Sequence, residues 1–255
     1  MEQWLQSMIV GNTVTMMLVF CRLGTVFVMF PGIGDSFTPP NVRLLLALSF
    51  SVMMTGPLQH YFPDKITPSL MLKLIVMEII VGALLATVIR LLLAALETAG
   101  AIISMNTGLS TAQMFNPSIS ATSTLPSVML SITGTLLIFA TDMHQFILEG
   151  MVNSYQVFKP GEILQPNDML ETVATAVARS FAIGVQISAP FLAVGIMINA
   201  VMGVASKLMP QVQIFFIALP AQLILGLTLM ALTGVVMMRA WMGTLQESFT
   251  FITGQ

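Results

Sequence analysis

The long uncharged stretches in the C-terminal part of this chain restrict its fold more than any other feature. Residues Ser180–Ser206 and Leu208–Met238 contain no Asp, Glu, Lys or Arg. A helix needs about 20 predominantly apolar residues to cross the hydrocarbon core of a bilayer, so each stretch is long enough to span a membrane. Of the 255 residues in the chain, 56% are hydrophobic and 8% are charged. Soluble domains carry about 25% charged residues, and the sequence therefore predicts an integral membrane protein.

Breaks rich in Pro, Gly and polar residues divide the chain into about six long hydrophobic segments, several of them kinked. This pattern predicts an all-α membrane protein built from helical hairpins. The approximate segments are Leu5–Phe30, Asn41–Leu58, Ser69–Ala99 with Gly100 as its stop, Leu125–Tyr155, Glu171–Leu208 and Gln211–Phe249. Pro190 and Pro220 are expected to kink the last two segments, which is tolerable where neighbouring groups satisfy the freed carbonyl oxygens. Lys207 and Pro210 mark the tight turn between those two segments.

Composition excludes several classes of function. The formal net charge of −2 leaves no basic stripe for phosphates, so nucleic acid is not an expected partner. Cys21 is the only cysteine, and neither His60 nor His144 has a second ligand at a helical spacing, so no metal site is predicted. The sequence also has no phosphate-binding glycine loop. We therefore predict no catalytic residue, no cofactor and no metal ion, and we expect a protein that is not an enzyme.

Four ionisable residues fall inside apolar segments: Arg22, Glu78, Arg90 and Glu97. Burying a charge in hydrocarbon costs at least about 2.5–3.5 kcal/mol, so each of them must face protein, water or an opposite charge. Arg90 and Glu97 are seven residues apart, which on a helix gives them the same direction at a distance of two turns. Three roles remain open for these charges: packing between segments or at an interface, a proton or ion relay, and pairing with a neighbouring subunit.

The segment Ser104–Thr124 is polar yet uncharged, and Gly108 and Pro117 interrupt any helix within it. An ordinary exposed loop collects charged residues, whereas this one lies in a stretch, Thr98–Thr141, that has none. Non-helical backbone at membrane depth is allowed only where protein buries it or where it lines a cavity. Two interpretations remain open, namely a constriction or plug in a pore and a re-entrant or small extramembrane loop.

In the plug interpretation, the residues of this segment divide by role. Gly108 and Pro117 set the backbone, Met105, Met114 and Phe115 seal the channel, and the Ser and Thr hydroxyls keep the segment wettable when it is displaced. The predicted plug and gate residues are Met105, Gly108, Leu109, Met114, Phe115, Asn116 and Pro117.

Small and polar residues in the last two segments suit close contacts between membrane helices. Gly195, Asn199 and Gly203 follow one another at four-residue spacing. The polar residues that could form hydrogen bonds to neighbouring helices are Gln186, Asn199, Gln211, Gln213 and Gln222. Packing within the last hairpin is the simplest interpretation.

Three groups of short motifs, spread over nearly the whole chain, resemble one known family in order and spacing. The motifs are Arg22-Leu23-Gly24 with Pro31 and Pro39-Pro40-Asn41-Val42-Arg43; Glu97-Thr98-Ala99-Gly100 with Gly108-Leu109-Ser110 and Asn116-Pro117; and Asn199-Ala200-Val201-Met202-Gly203 with Lys207-Leu208-Met209-Pro210-Gln211 and Ile214-Phe215. Through them the chain resembles the FliR/SpaR/YscT family of membrane subunits of bacterial type III export gates.

The resemblance implies a structural, pore-forming subunit of the gate that secretes unfolded flagellar proteins. The partners that it implies are FliP-like, FliQ-like and FlhB-like subunits in a helical hetero-oligomer, the exported proteins, and membrane lipid. It implies a single export-gate domain in which residues 1–165 are FliP-like and residues 166–255 form a FliQ-like helical hairpin. It also assigns the loop 104–124 as the channel plug, and it places the chain in the bacterial inner membrane at the flagellar basal body.

A small secondary transporter is the alternative prediction, because that class also uses broken helices and charges near the membrane midplane. Arg22, Glu78 and Arg90 would then bind the substrate. A virulence system in place of a flagellum is a second alternative, and the flagellar interpretation is preferred. An intramembrane enzyme is disfavoured, since the sequence offers no Ser/His, paired-acid or metal constellation.

Overall fold

The computed structural model describes residues 2–34, 38–63, 66–110, 124–162, 166–211 and 213–253. Over these ranges the chain is helical apart from short turns, and they contain no β-strand. The described part has seven α-helices of 15 residues or more: α1 (Glu2–Met29), α2 (Pro40–Leu58), α3 (Pro68–Asn106), α4 (Leu125–Ala140), α5 (Met143–Val157), α6 (Pro166–Leu208) and α7 (Ile214–Thr253). The all-α prediction is therefore confirmed.

The helices also have the length and composition of membrane spans. Among the described residues, α1, α2, α3, α6 and α7 are each long and apolar enough to cross a membrane. The number rises to six if α4 and α5 are counted together as one broken span. This agrees with the prediction of about six long hydrophobic helices.

Proline is the first residue of α2, α3 and α6, and it interrupts none of the longest helices. Helix α2 starts at Pro40, directly after Pro39 in an extended conformation. Proline is favoured in the first turn because the N–H group that it lacks would have no helical partner there. Helices α6 and α7 run on through Pro190 and Pro220.

Two predicted helix boundaries are wrong. Helix α3 does not stop at Gly100 but continues to Asn106, and a Cβ atom at Gly100 would overlap the backbone of Ser127 on α4. Gly100 therefore allows two helices to approach closely and does not end a helix. The predicted continuous helix Leu125–Tyr155 is divided in two at Asp142, whose φ of 58° is a left-handed conformation that ends the regular helical path.

The chain divides into two compact units, and each is built from pieces that are distant in sequence. Unit 1 combines residues 1–91, 141–176 and 249–255. Its buried apolar side chains share one face of each helix, and that face is turned toward the core. The main members are Leu18, Leu23 and Val26 on α1, Leu74, Val81, Leu85 and Ile89 on α3, and Ile147, Met151 and Tyr155 on α5.

Unit 2 combines residues 92–140 and 177–248. Its core is formed by Leu92, Leu96, Ala99 and Ile103 on α3, Leu130 and Ile138 on α4, Ile183, Ile187 and Phe191 on α6, and Met237, Trp241 and Leu245 on α7. The indole nitrogen of Trp241, which is fully buried, donates a hydrogen bond of 2.8 Å to the Leu92 carbonyl oxygen. Helix α7 is therefore held to α3 by both apolar packing and a polar contact.

Candidate functional site

A buried ion pair lies in unit 1, between α1 and α3. Arg22 and Glu78 are each only 1% exposed. The Arg22 guanidinium donates from Nε to Glu78 Oε2 at 2.5 Å and from Nη2 to Glu78 Oε1 at 3.0 Å. This two-bond geometry is the strongest form of contact between arginine and a carboxylate. It also answers the question that the sequence leaves open for these two residues, because each faces an opposite charge inside the protein.

The remaining contacts of Arg22 come from helix α5 and the residue that follows it. Nη1 donates to Ser154 Oγ at 3.2 Å, and Nη2 donates a second bond to the Phe158 carbonyl oxygen at 2.9 Å. The guanidinium carbon lies 3.8 Å from the centre of the Tyr155 ring, within the range of a cation–π interaction. Arg22 thus joins three parts of unit 1, and four of its five N–H donors have partners.

A close approach between backbones makes this pair possible. Gly82 lies one turn after Glu78 on α3, and a Cβ atom there would come within 2.6 Å of the Arg22 carbonyl oxygen. A larger residue would push α1 and α3 apart, whereas glycine lets the backbones approach. Gly82 therefore positions the two charged side chains against each other.

A cavity of about 330 Å³ adjoins the ion pair within unit 1. Arg22 and Glu78 form part of its wall, and Lys159 and Glu162 contribute a second pair of opposite charges. Both Glu78 oxygens are bonded to Arg22, so neither member of this pair could bind a substrate without breaking the pair. The geometry of these two residues therefore does not favour the transporter interpretation.

The structure does not bring Arg90 or Glu97 into this pair. Both side chains are exposed on α3 in this chain. Exposure on α3 does not decide between the roles left open for Arg90 and Glu97, so their pairing with a neighbouring subunit stays a prediction. The pairing of Arg22 with Glu78 accounts for the other two.

The described ends of the polar segment lie in unit 2. Met105 is 73% exposed near the end of α3, and Leu109 is half-buried after it. Gly108 has a φ of +75°, a conformation that side-chain-bearing residues rarely adopt, so glycine is required for the chain to turn off the helix there. The other predicted plug residues, Met114, Phe115, Asn116 and Pro117, lie outside the described residues.

Helix α4 begins directly after Thr124, where two hydroxyl groups bond to α3. Thr124 Oγ1 donates to the Gly100 carbonyl oxygen at 3.3 Å, and Ser127 Oγ donates to the Glu97 carbonyl oxygen at 2.8 Å. Both ends of the polar segment are therefore attached to the same helix.

The predicted hairpin residues lie where α6 ends and the chain turns toward α7. Lys207 is in the last turn of α6, and Pro210 is in the turn that follows. Gln222 on α7 donates from Nε2 to the Met202 sulfur on α6 at 3.8 Å, which is a weak contact across the hairpin. A Cβ atom at Gly203 would meet no atom of the described residues within 4 Å, so Gly203 forms no close helix contact with that part of the chain.

Sequence reasoning missed the residues that complete the buried pair, namely Gly82, Ser154, Tyr155 and the Phe158 carbonyl group. The spacing of Glu78 and Gly82 was an available signal, because a small residue one turn from a buried charge suits a close helix contact. Ser154 and Tyr155 carried no such signal, since a Ser or Tyr in a helix is common in any membrane protein.

Comparisons with known proteins identify the family of this chain. The family described as Bacterial export proteins, family 1, matches residues 13–248. The flagellar biosynthetic protein FliR of Caulobacter vibrioides is 37% identical over 85% of this chain and 86% of its own length. FliR of Aquifex aeolicus is 30% identical over 86% and 85%, and FliR of Bacillus subtilis is 27% identical over 81% of each chain.

The chain belongs to family 1 of the bacterial export proteins. Within that class it is similar to the flagellar FliR proteins over most of its length, so the FliR resemblance predicted from the motifs is confirmed. These matches indicate a membrane-associated component of the flagellar export apparatus, and they do not favour the transporter alternative.

Proposed function

We propose that this chain is a structural, pore-forming subunit of the flagellar type III export gate and that it helps to form and close the channel. Unfolded flagellar proteins pass through that channel, across the bacterial inner membrane, at the flagellar basal body. The observation that carries this proposal is the family match over residues 13–248, together with long identity to flagellar FliR proteins. The role requires no catalysis by this chain, because its task is to shape and seal a path.

The polar segment Ser104–Thr124 is proposed as the plug of the channel. Its lack of charge supports this role, because a plug must pack against apolar walls while closed and tolerate water while open. The left-handed turn at Gly108 supports it as well, since the chain turns off α3 where the segment begins. In this proposal Met105, Leu109, Met114 and Phe115 seal the channel, while Gly108, Asn116 and Pro117 shape the backbone.

FliP-like, FliQ-like and FlhB-like subunits are the proposed partners. Large apolar side chains are exposed on each of the seven helices, which suits contact with lipid or with other membrane subunits. The clearest examples are Leu45 and Met53 on α2, Ile196 and Val201 on α6, and Ile224 and Leu232 on α7. We assign residues 1–165 to a FliP-like part and residues 166–255 to a FliQ-like hairpin within one export-gate domain.

Co-expression tests the assembly. Tagged chain, produced with and without its FliP-like and FliQ-like neighbours, is extracted in mild detergent and weighed by native mass spectrometry. We expect a hetero-oligomer of defined mass that forms only when both neighbours are present. A stable monomer or homodimer that is unchanged by the neighbours would contradict the proposed function.

A further inference from the structure

The end of α3 lies against two glycines on different helices of unit 2. A Cβ atom at Gly195 on α6 would overlap the Asn106 amide oxygen, and a Cβ atom at Gly226 on α7 would overlap the Thr107 methyl group. Thr107 is only 4% exposed. Asn106, the last residue of α3, and Thr107, which follows it, therefore fill spaces that exist only because Gly195 and Gly226 have no side chain.

The turn that follows is seated on the same helix as Gly226. A Cβ atom at Gly108 would lie 3.3 Å from the Gln222 amide oxygen and 3.9 Å from the Leu219 side chain on α7. Since Gly108 already has a φ of +75°, both its conformation and its neighbours fix where the chain leaves α3.

The other end of the polar segment, at Thr124 and Ser127, is held by a different kind of contact. The hydroxyl groups of Thr124 and Ser127 lie 2.8 Å apart and bond to carbonyl oxygens of α3. The end of the segment at Thr124 is therefore attached to α3 by hydrogen bonds, which need no particular residue on α6 or α7. The end at Asn106 and Thr107, in contrast, packs against a glycine on each of these two helices.

We propose that Gly195 and Gly226 form a clamp around Asn106 and Thr107. This clamp sets the position from which the polar segment leaves α3. In this role they are positioning residues for channel closure, and the effect on closure rests on the plug function proposed above. A side chain at either glycine displaces Asn106 or Thr107, moves the first residues of the polar segment after α3, and leaves the channel incompletely closed.

Thiol labelling of the assembled gate measures how accessible the polar segment is at residue 110, just after it leaves α3. A Cys21→Ser, Ser110→Cys chain is co-expressed with its partner subunits, and modification of position 110 by a polar maleimide is timed in membranes. Gly195→Ala or Gly226→Ala should speed labelling about tenfold, as expected when a packed site is overfilled and an opened state becomes more populated.

The same helices supply matched controls. Gly203 on α6 and Gly234 on α7 have open space within 4 Å, so Gly203→Ala and Gly234→Ala introduce the same change without a collision. These two variants should label at the parent rate. Equal labelling rates for the clamp and control variants would overturn the proposal.

A size exchange covers the case in which Gly226→Ala prevents assembly. Thr107→Gly combined with Gly226→Ala moves a side chain from α3 to α7 and removes the collision, and Thr107 lies just past the helix end, where glycine is tolerated. The exchange should restore assembly and slow labelling. Failure to restore either property would overturn the clamp.

Ion leakage through the same membranes separates the clamp from the plug. Fast labelling with fast leakage supports both. Fast labelling without leakage overturns the claim that the clamp governs closure. If removal of the polar segment also causes no leakage, the plug function itself is contradicted. If removal of the segment causes leakage but the clamp variants do not, only the role of the clamp is contradicted.

Discussion

Deleting residues 110–120 is expected to make cells that express the complete export gate leak ions. A channel wide enough for an unfolded chain conducts ions unless something fills it, and the polar segment is the proposed filling. We expect ion permeability to rise about tenfold or more, because a continuous aqueous path replaces a blocked one. Depolarisation of the membrane potential, followed with a voltage-sensitive dye after a salt pulse, measures the change.

Assembly has to be followed in parallel, since a gate that does not form cannot leak. The deletion should leave the hetero-oligomer intact, because both attachment points of the segment, at Gly108 and Thr124, are retained. As a control, the same deletion expressed without the partner subunits should cause no leak. Unchanged permeability with an intact hetero-oligomer would contradict the plug.

The helical architecture could be predicted from local features of the sequence, and its errors have tertiary causes. Pro40 signals the start of α2 by its own geometry. Gly100 is predicted from the local sequence to end α3. Its actual role is to let the backbone of Ser127 approach closely, and Ser127 is 27 positions away along the chain. The break at Asp142 was missed because the residues on both sides are apolar enough to continue one helix, and only the backbone conformation divides them.

The candidate site divides in the same way. The cost of a charge in an apolar segment was enough to single out Arg22 and Glu78. Their partnership was not predictable, since it joins two helices at a separation of 56 residues. Arg90 and Glu97 share one helix and satisfied the spacing rule, but both are exposed. A single sequence shows which residues need a partner, whereas only packing shows which residue that partner is.

Replacing Glu78 by Met should destabilise the protein strongly, because it leaves the buried Arg22 guanidinium without its counter-charge. Breaking a buried ion pair from one side costs about 3–5 kcal/mol. For a chain of this size that corresponds to a fall in the unfolding midpoint on the order of 10 °C. The midpoint is measured on the detergent-extracted gate, as the temperature at which the complex disappears from size-exclusion chromatography. Arg22→Met should cause a loss of similar size, since it leaves the Glu78 carboxylate buried and unpaired.

Tyr155 offers a matched control for the same cluster. Its hydroxyl group is buried and forms no hydrogen bond with any described residue. Tyr155→Phe keeps the ring that faces Arg22 and removes only this group, so the unfolding midpoint should stay the same or rise slightly. Tyr155→Leu, which removes the ring, should lower it. A Glu78→Met midpoint no lower than that of Tyr155→Phe would show that the ion pair contributes nothing to stability.

The double variant Arg22→Met, Glu78→Met decides between a structural pair and a relay. Replacing both members of a buried ion pair with apolar residues often restores much of the stability that either single change removes. A structural role therefore predicts that the double variant is more stable than either single variant and regains motility in cells whose own copy is deleted. A proton or ion relay predicts the opposite for function, because a stable chain without either charge could not carry the ion. Swimming distance in soft agar, compared with the unfolding midpoint of the same variants, separates the two roles.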